Sequence, residues 1–284
     1  MYYVTDAYHP DLQQQLRTAV LQQQVARAAD APELHVYALV DGAMDPVWGK
    51  SLRLDCQRSP NELRAVYDGT PLEDAEDAGL FLGMVQDDQV EVLLGKARPR
   101  PMLSFLQSTL SLDAMCEHLA QFSRGQTSDG YWYTLRWGCP NRVADLMSAL
   151  GDSLGNALSS GFVAWHLIAR DGSLQTIKGT QGQAELSAKP ERLLSHGVVL
   201  SDAAPLQLME AGEADLILSR ELSQVPEEIQ GRSAALLHDM AQAMLKEMTA
   251  AGIEAHPVRS ELLIRSLRCD SFESAQAFVK AQAS

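Results

Sequence analysis

The sequence predicts an α+β or α/β protein, with an N-terminal mixed-sheet α/β lobe followed by a smaller, all-helical C-terminal lobe. Two observations support this fold class. Up to about residue 178, apolar runs that end on Asp-Gly alternate with helical patterns, which is typical of a lobe built on a sheet. After residue 190, apolar residues recur almost only at helical spacing. We therefore predict an α/β domain over 1–178, a polar linker over 179–190 and a helical lobe over 191–284.

The first part of the α/β domain is predicted to begin with a helix. Apolar residues at helical spacing among glutamines indicate a helix over Asp11–Ala29, which ends before Pro32. The run Leu34–Val40 is apolar on both faces and predicts a core strand that is covered on both sides. The acidic run Glu73–Asp77 predicts a solvated helical turn. Further strands are predicted over Leu63–Tyr67, Leu80–Val85 and Gln89–Leu94.

The second part of the α/β domain alternates in the same way. Ser111 is the predicted N-cap of a helix that stops near Gly125. Aromatic and polar residues over Tyr131–Trp137 give the clearest alternation in the chain and predict a strand. The remaining elements predicted here are a helix over Val143–Leu150 and a hairpin of Val163–Ala169 with Leu174–Ile177, joined by Asp171-Gly172.

One helix of the C-terminal lobe carries a stripe of methionines. The lobe's helices are predicted over Asp202–Leu218, Ala234–Ala250, Arg259–Leu267 and Ser271–Ala281. In the second of these, Leu237, Met240, Met244 and Met248 fall on one face. Because unbranched thioethers adapt to partners of different shape, we predict a groove that binds another protein's helix. The alternative is that the stripe packs inside the helical lobe.

Composition restricts the classes of partner. The net charge of −14 argues against broad contact with nucleic acid or an anionic membrane and favours a basic partner. The N-terminal residues do not resemble a signal peptide, and the longest uncharged stretch, Ser153–Ala169, is too polar to span a bilayer. We therefore expect a cytoplasmic protein. The four cysteines form no Cys-x-x-Cys pair, so neither a zinc site nor a disulfide framework is predicted.

An enzymatic function would depend on the Asp-Gly pairs. A hydrolase hypothesis joins Asp41 and Asp68 as a carboxylate pair, with a histidine as the third group. The candidates for that third group are His35, His118 and His166. Turn chemistry explains the Asp-Gly pairs without a reaction, and Arg136 is a predicted ion-pair partner for Asp41 or Asp68. No nucleophile elbow, phosphate loop or dinucleotide fingerprint occurs, so no cofactor is predicted.

The order and spacing of several short motifs resemble the effector-adaptor (chaperone) family of bacterial type VI secretion, long catalogued as a domain of unknown function. The matching segments are Tyr37–Ala43, Tyr67–Pro71, Gly79–Leu82, Ser111-Leu112, Arg136–Arg142 and Trp165. Within them, the residues taken as the structural family motif are Tyr37, Asp41, Gly42, Tyr67, Asp68, Gly69, Thr70, Pro71, Arg136 and Trp165. The family's Arg-aromatic-aromatic-Asp-Pro-Arg segment lacks its Asp here and contains one inserted residue.

The resemblance implies a non-enzymatic adaptor that binds the N-terminal segment of a secreted toxin effector. Such an adaptor assists the loading of that effector onto the VgrG spike and remains in the cytoplasm. In this hypothesis the α/β lobe is the rigid body and the helical lobe holds the effector. Two alternatives stay open at this point: the hydrolase that uses Asp41 and Asp68, and a structural subunit of a secretion assembly.

Overall fold

A computed structural model describes residues 5–21, 32–74, 79–86, 88–98, 100–181, 193–194, 196–222, 227–269 and 271–282 of the chain. The chain forms two compact units. The larger one is Ala7–Pro205, and the smaller one combines Met1–Asp6 with Leu206–Ser284. The prediction of a mixed α and β lobe followed by a smaller helical lobe is confirmed.

The larger unit contains two sheets. Its strands are β1 (His35–Asp41), β2 (Leu63–Ala65), β3 (Leu80–Met84), β4 (Leu103–Ser108), β5 (Arg124–Gln126), β6 (Trp132–Thr134), β7 (Ala164–Ile168), β8 (Leu174–Lys178), β9 (Leu193–Leu194) and β10 (Gly197–Val199). A six-stranded sheet has the order β2-β3-β1-β4-β7-β8, and its neighbours are all antiparallel. A four-stranded sheet has the order β6-β5-β10-β9, with one parallel pair, β10 and β5. The antiparallel main sheet makes α+β the accurate description of this unit.

The central strand β1 is covered on both faces, as its sequence predicts. On one face, Val36, Ala38 and Val40 join a core cluster with apolar residues of the surrounding helices. On the other face, Tyr37 and Leu39 have no exposed surface. Because alternate side chains of a strand point to opposite faces, burial of both sets requires cover on both sides.

Helices and short turns provide that cover. The helices of the larger unit are α1 (Leu12–Leu16, continued by a π-helical turn at Arg17–Leu21), α2 (Pro46–Arg58), α3 (Gln89–Ala97), α4 (Leu112–Ala120) and α5 (Pro140–Ser159). Asp45 caps α2 by accepting from the backbone N–H groups of Val47 and Trp48. Ser111 caps α4 by accepting from the N–H of Ala114, as predicted. The predicted helix over residues 11–29 is confirmed only at its start, because residues 22–29 lie outside the described residues.

Two sequence predictions in this unit were wrong. The segment predicted as a strand over Gln89–Leu94 is the helix α3. Val90, Leu94 and Ala97 are its buried residues, and their spacing of four and three positions is that of one helix face. The strand predicted over Tyr131–Trp137 was wrong beyond Thr134: only β6 is a strand, while Leu135 and Trp137 after it are buried.

Other predictions hold with shifted bounds. The hairpin of β7 and β8 forms as expected, and Gly172 in its turn has a φ of 77°, which favours glycine. The predicted helix over residues 143–150 is the middle of the longer α5, which is kinked at Gly151. The acidic turn predicted over residues 73–77 lies partly outside the described residues.

The domain boundaries differ in one respect from those predicted. Most of the predicted linker, residues 182–190, lies outside the described residues. Beyond it, β10 pairs with β5 and β9 pairs with β10, so residues 193–199 take part in the smaller sheet of the larger unit. The sequence prediction places the start of the helical lobe at residue 191, ahead of these strands.

The smaller unit is helical and has its own core. Its helices are α6 (Ala204–Glu221, which starts in the larger unit), α7 (Glu227–Gln230), α8 (Ala234–Ala250), α9 (His256–Ser266) and α10 (Phe272–Gln282). A buried cluster joins residues of all five helices. None of the helices in the described part of the chain combines the length and the apolar character needed to cross a bilayer.

The methionine stripe belongs to this core, which corrects its predicted role in partner binding. Leu237, Met244 and Met248 have no exposed surface, and Met240 is 5% exposed. The stripe packs against residues of α6, α9 and α10 within the same unit. A small helical unit needs such a continuous apolar row to bury enough surface, so the packing alternative describes these four residues.

Candidate functional site around the Tyr67–Pro71 turn

A buried ion pair connects two of the family-motif segments. Oδ2 of Asp41 accepts a hydrogen bond of 2.7 Å from Nη2 of Arg136, and Oδ1 accepts from the N–H of Ala43. Burial raises the pKa of the Asp41 carboxyl above its ordinary value, and the charge and hydrogen bond of Arg136 oppose that rise. The prediction that Arg136 pairs with Asp41 or Asp68 is therefore confirmed for Asp41.

Gly138 allows the Arg136 segment to lie against β1. A Cβ atom added at Gly138 would be 2.6 Å from the Cβ of Asp41 and 2.7 Å from a methyl group of Leu80. The position therefore requires glycine. This close approach gives a structural reason for a residue without a side chain at this position.

The turn after β2 is fixed by its own hydrogen bonds. Thr70 donates from its backbone N–H (3.0 Å) and from its hydroxyl (2.7 Å) to the carbonyl of Tyr67. The same hydroxyl accepts from the N–H of Leu72, and Gly69 has a φ of 68°. Burial and the nearby charge of Asp41 raise the pKa of the Tyr67 phenol, with a smaller opposing effect of Arg136. Asp68-Gly69 therefore acts as a turn element, as turn chemistry predicts.

Asp41 and Asp68 have different partners in different surroundings. The Asp41 side chain is 6% exposed and pairs with Arg136, whereas the Asp68 side chain is 52% exposed and pairs with Arg53. Each carboxylate thus has its own guanidinium counter-ion. Each ion pair holds its carboxylate in place, that of Asp41 in a buried position and that of Asp68 at the surface.

A surface groove lies beside this turn. Its volume is about 560 Å³, and its lining residues are Arg64, Ala65, Val66, Asp68, Gly69, Thr70, Asp113, Cys116, Glu117, Ala120, Gln121 and His196. Arg64 and Asp113 form an ion pair of 2.8 Å within the lining. Burial raises the pKa of the Cys116 thiol to about 12, which keeps it protonated and unreactive at neutral pH. The groove is open and polar, with more acidic than basic side chains.

The other family-motif residues have structural roles. The hydroxyl of Tyr37 donates to the carbonyl of Leu110 at 2.7 Å, and the indole N–H of Trp165 donates to the Ser104 hydroxyl at 2.9 Å. The N–H of Gly42 donates to the carbonyl of Gly79. Pro71 is exposed next to Thr70 in the turn. These contacts tie neighbouring segments of the main sheet together.

The polar contacts that the structure shows for the three histidines proposed as a third catalytic group are with residues other than Asp41 and Asp68. His118 shares a hydrogen bond of 2.8 Å with the carbonyl of Leu158, and Nδ1 of His166 shares one of 2.9 Å with the Thr176 hydroxyl. Burial lowers the pKa of both, that of His166 to about 4. Both are therefore neutral side chains at neutral pH. His35 is near Glu33, 3.9 Å from its carboxylate. Within the described ranges, no group of three or more His, Cys, Asp or Glu residues is placed to hold a metal ion.

Sequence reasoning missed the partners of Asp68 and Asp113. Arg53 lies on α2 and Arg64 on β2, and both reach these carboxylates across sequence gaps that no local pattern marks. The exposed aromatic residues of β6 were also missed as a surface feature, because their alternation resembled that of a half-buried strand.

The comparison with protein families gives one finding. Residues 36–154 match the family model described as "Domain of unknown function (DUF4123)". The DUF4123 segment begins in β1 and ends within α5, so it contains the Asp41–Arg136 pair, the Tyr67–Pro71 turn and the whole lining of the groove except His196. Trp165 and the helical unit lie outside it. No curated protein and no solved structure matches the chain.

Proposed function

We propose that the protein is a non-enzymatic adaptor of type VI secretion, which binds a toxin effector in the cytoplasm and assists its loading onto the VgrG spike. The observation that carries the proposal is the DUF4123 match over residues 36–154. It coincides with the motif segments whose spacing resembles the effector-adaptor family. Every family-motif residue except Trp165 lies inside the matched segment.

The chemistry of these motif residues supports an adaptor more than a hydrolase. Asp41 is paired with Arg136, and Asp68 is paired with Arg53. Tyr37, Thr70 and Trp165 direct their polar atoms to other groups of the same unit. Residues used in this way fix the shape of a rigid body, which is what an adaptor needs in order to present a binding surface.

The net charge of the chain fits a protein partner. At a net charge of −14, the protein attracts a basic surface and is repelled by nucleic acid and by anionic lipid. The groove beside the Tyr67–Pro71 turn has three acidic residues in its lining, Asp68, Asp113 and Glu117, and one arginine, Arg64. An effector with a basic segment would therefore be favoured by long-range attraction before any specific contact forms.

The test is affinity capture of the tagged full-length chain from cells in which the secretion system is expressed. We expect mass spectrometry to recover one toxin effector, with VgrG retained in the same complex. The control is the Arg58→Ala variant, which is expected to capture the same effector. Arg58 is an exposed residue at the C-terminal end of α2, the end opposite the Asp45 cap. Recovery of neither effector nor VgrG by either protein would contradict the proposal.

A further inference from the structure

The small sheet ends in a strand whose outer edge is open within the described part of the chain. Its order, β6-β5-β10-β9, places β6 at one end. The N–H of Thr127 donates to the carbonyl of Tyr131, and the N–H of Leu135 donates to the carbonyl of Ser123. Residues 131, 133 and 135 therefore direct their backbone groups towards β5. In an antiparallel pair the alternate residues point the other way, so the N–H and C=O groups of Trp132 and Thr134 face outwards.

The same strand exposes aromatic side chains on both of its faces, Tyr131 and Tyr133 on one and Trp132 on the other. Tyr131 is 67% exposed, Trp132 is 39% exposed and Tyr133 is 44% exposed. Three adjacent aromatic residues at a sheet edge provide both apolar area and polar tips, the composition that is enriched where proteins bind one another. By contrast, Leu135 and Trp137, which continue the alternation, are buried.

Trp132 is held in a fixed position. The guanidinium of Arg124 lies over its ring at 4.1 Å from the centroid. On β10, a Cβ atom added at Gly197 would be 2.6 Å from the indole ring, so the ring lies directly across that glycine. An aromatic side chain that is already ordered loses little conformational entropy when a partner binds.

Open edges are usually protected; β6 has one common protection, its short length of three residues, but it lacks others. Lysine, proline, a bulge or an inward-pointing charge commonly blocks pairing at the edge of a sheet. The segment Tyr131–Thr134 contains neither a charged residue nor a proline. The outer strand β8 of the main sheet, in comparison, ends on Lys178. The β6 edge therefore has the features of a pairing site.

We propose that β6 is a docking strand, to which an extended segment of a partner protein adds as a further strand of the small sheet. Backbone groups of the segment bond to the outward N–H and C=O groups of Trp132 and Thr134. Its side chains pack against Tyr131 and Tyr133 on one face of the sheet and against Trp132 on the other. The partner's identity as the toxin effector rests on the proposed adaptor function; the docking geometry does not.

The outward backbone groups of β6 favour an extended segment as the occupant. Outward N–H and C=O groups are satisfied by another backbone in strand geometry, whereas a docked helix has its own backbone groups already bonded. The chain's charge of −14 favours a segment that carries lysine or arginine at some positions. A second copy of this chain would bring the same net charge of −14, which opposes a β6-to-β6 dimer.

The test uses a phage-displayed library of random linear twelve-residue peptides, selected on the immobilised full-length chain. The affinity of each enriched peptide is then measured for the unchanged chain and for two variants at position 134. Thr134→Pro removes the outward N–H without touching the bonds to β5, and Thr134→Val keeps that N–H. We expect peptide affinity to fall at least about tenfold in Thr134→Pro and to change less than about twofold in Thr134→Val.

A second proline controls for general damage to a sheet edge. Lys178→Pro places the same residue at the outer strand of the main sheet, and it is expected to leave the peptide affinity unchanged. Circular dichroism of each variant confirms that it is folded. Equal peptide binding by Thr134→Pro and the unchanged chain would overturn the proposal, as would a selection that enriches no peptide.

The remaining outcomes separate this inference from the adaptor function. A dimer of the unchanged chain that dissociates in Thr134→Pro, seen by sedimentation, would assign the edge to a second copy and overturn the proposal. An effector captured equally by the unchanged chain and by Thr134→Pro, together with peptides that bind both proteins equally, would overturn the docking strand and leave the adaptor function standing. Peptides that depend on Thr134, with no effector captured by any variant, would support the docking strand and contradict the adaptor function.

Discussion

Each of the two compact units contains a buried ion pair, and the two pairs differ in how fully they are satisfied. In the helical unit, Arg259 makes a two-pronged contact with Glu213, with bonds of 2.7 and 2.6 Å. The same guanidinium donates to the Thr249 hydroxyl and to the carbonyl of Ile253. Both side chains are largely buried, at 8% and 16% exposure. This arginine joins three helices and the turn that follows α8.

In the larger unit, the Asp41–Arg136 pair has an asymmetric environment. The Asp41 side chain is 6% exposed, whereas that of Arg136 is 34% exposed. The effect of burial, which disfavours the charged carboxylate, is therefore larger than the opposing effect of the Arg136 charge. As a result, the pKa of Asp41 stays above its ordinary value. A buried pair stabilises a fold only when further hydrogen bonds satisfy both members, so the comparison predicts unequal costs when each arginine is removed.

The largest effect is expected for Arg259→Met. The change keeps most of the side-chain volume but leaves the Glu213 carboxylate without its counter-ion. Loss of one member of a buried pair costs about 3–5 kcal/mol. Urea unfolding followed by circular dichroism measures the free energy of unfolding. Arg265→Met on the same helix is the matched control, because Arg265 is 49% exposed and its pair with Glu261 is worth at most about 1 kcal/mol.

A smaller, pH-dependent effect is expected for Arg136→Met. We expect a loss of about 2–3 kcal/mol at pH 7.5, less than for Arg259 because Arg136 is partly exposed. Without Arg136, the pKa of Asp41 rises further. As the pH falls through that raised pKa, the folded protein takes up a proton that the unfolded chain binds only at lower pH, so stability is regained.

The measurement for this variant is urea unfolding at pH 7.5 and pH 5, and the loss should be smaller at the lower pH. Asp41→Asn in the Arg136→Met background removes the titrating group and should abolish the pH-dependent part. A loss that is the same at both pH values would show that Arg136 contributes through packing rather than through its charge.

The sequence predicted those parts of the fold whose signals are local. The two-sided burial of β1, the Ser111 cap and the Asp171-Gly172 hairpin depend on alternation, capping and turn chemistry within a few residues. The residue types predicted that Arg136 pairs with Asp41 or with Asp68, and the structure decides for Asp41.

Other features depend on tertiary contacts that no local pattern encodes. A short apolar run such as Gln89–Leu94 is compatible with a strand or with a helix. In the structure it forms the helix α3, which buries Val90 and Leu94 on one face. The methionine stripe fits a groove or a core, and the packing of neighbouring helices made it core. Arg53 and Arg64 reach their partners only because the chain folds back.

The smallest expected effect tests whether the N-terminal residues are part of the helical unit. Oδ1 of Asp6 accepts from the N–H of Ala234 at 2.5 Å, and Oδ2 accepts from the N–H of Ala235 and the hydroxyl of Ser233. A carboxylate at the N-terminal end of α8 accepts hydrogen bonds from N–H groups that have no partner within the helix. Its negative charge also interacts favourably with the positive end of the helix dipole. Asp6→Ala should therefore cost about 1 kcal/mol of the helical unit's stability, measured by urea unfolding.

Two further variants distinguish the cap from a general effect of charge. Asp6→Asn keeps an oxygen that can accept from the Ala234 N–H, so it should recover most of the loss, since asparagine caps about as well as aspartate. Asp239→Ala removes a carboxylate that is 83% exposed on the same helix and should leave the stability nearly unchanged. If Asp6→Asn and Asp6→Ala were equally destabilised, the contribution of Asp6 would be its charge at the helix N-terminus; if neither changed the stability, the Asp6 contact would not tie the N-terminal residues to the helical unit.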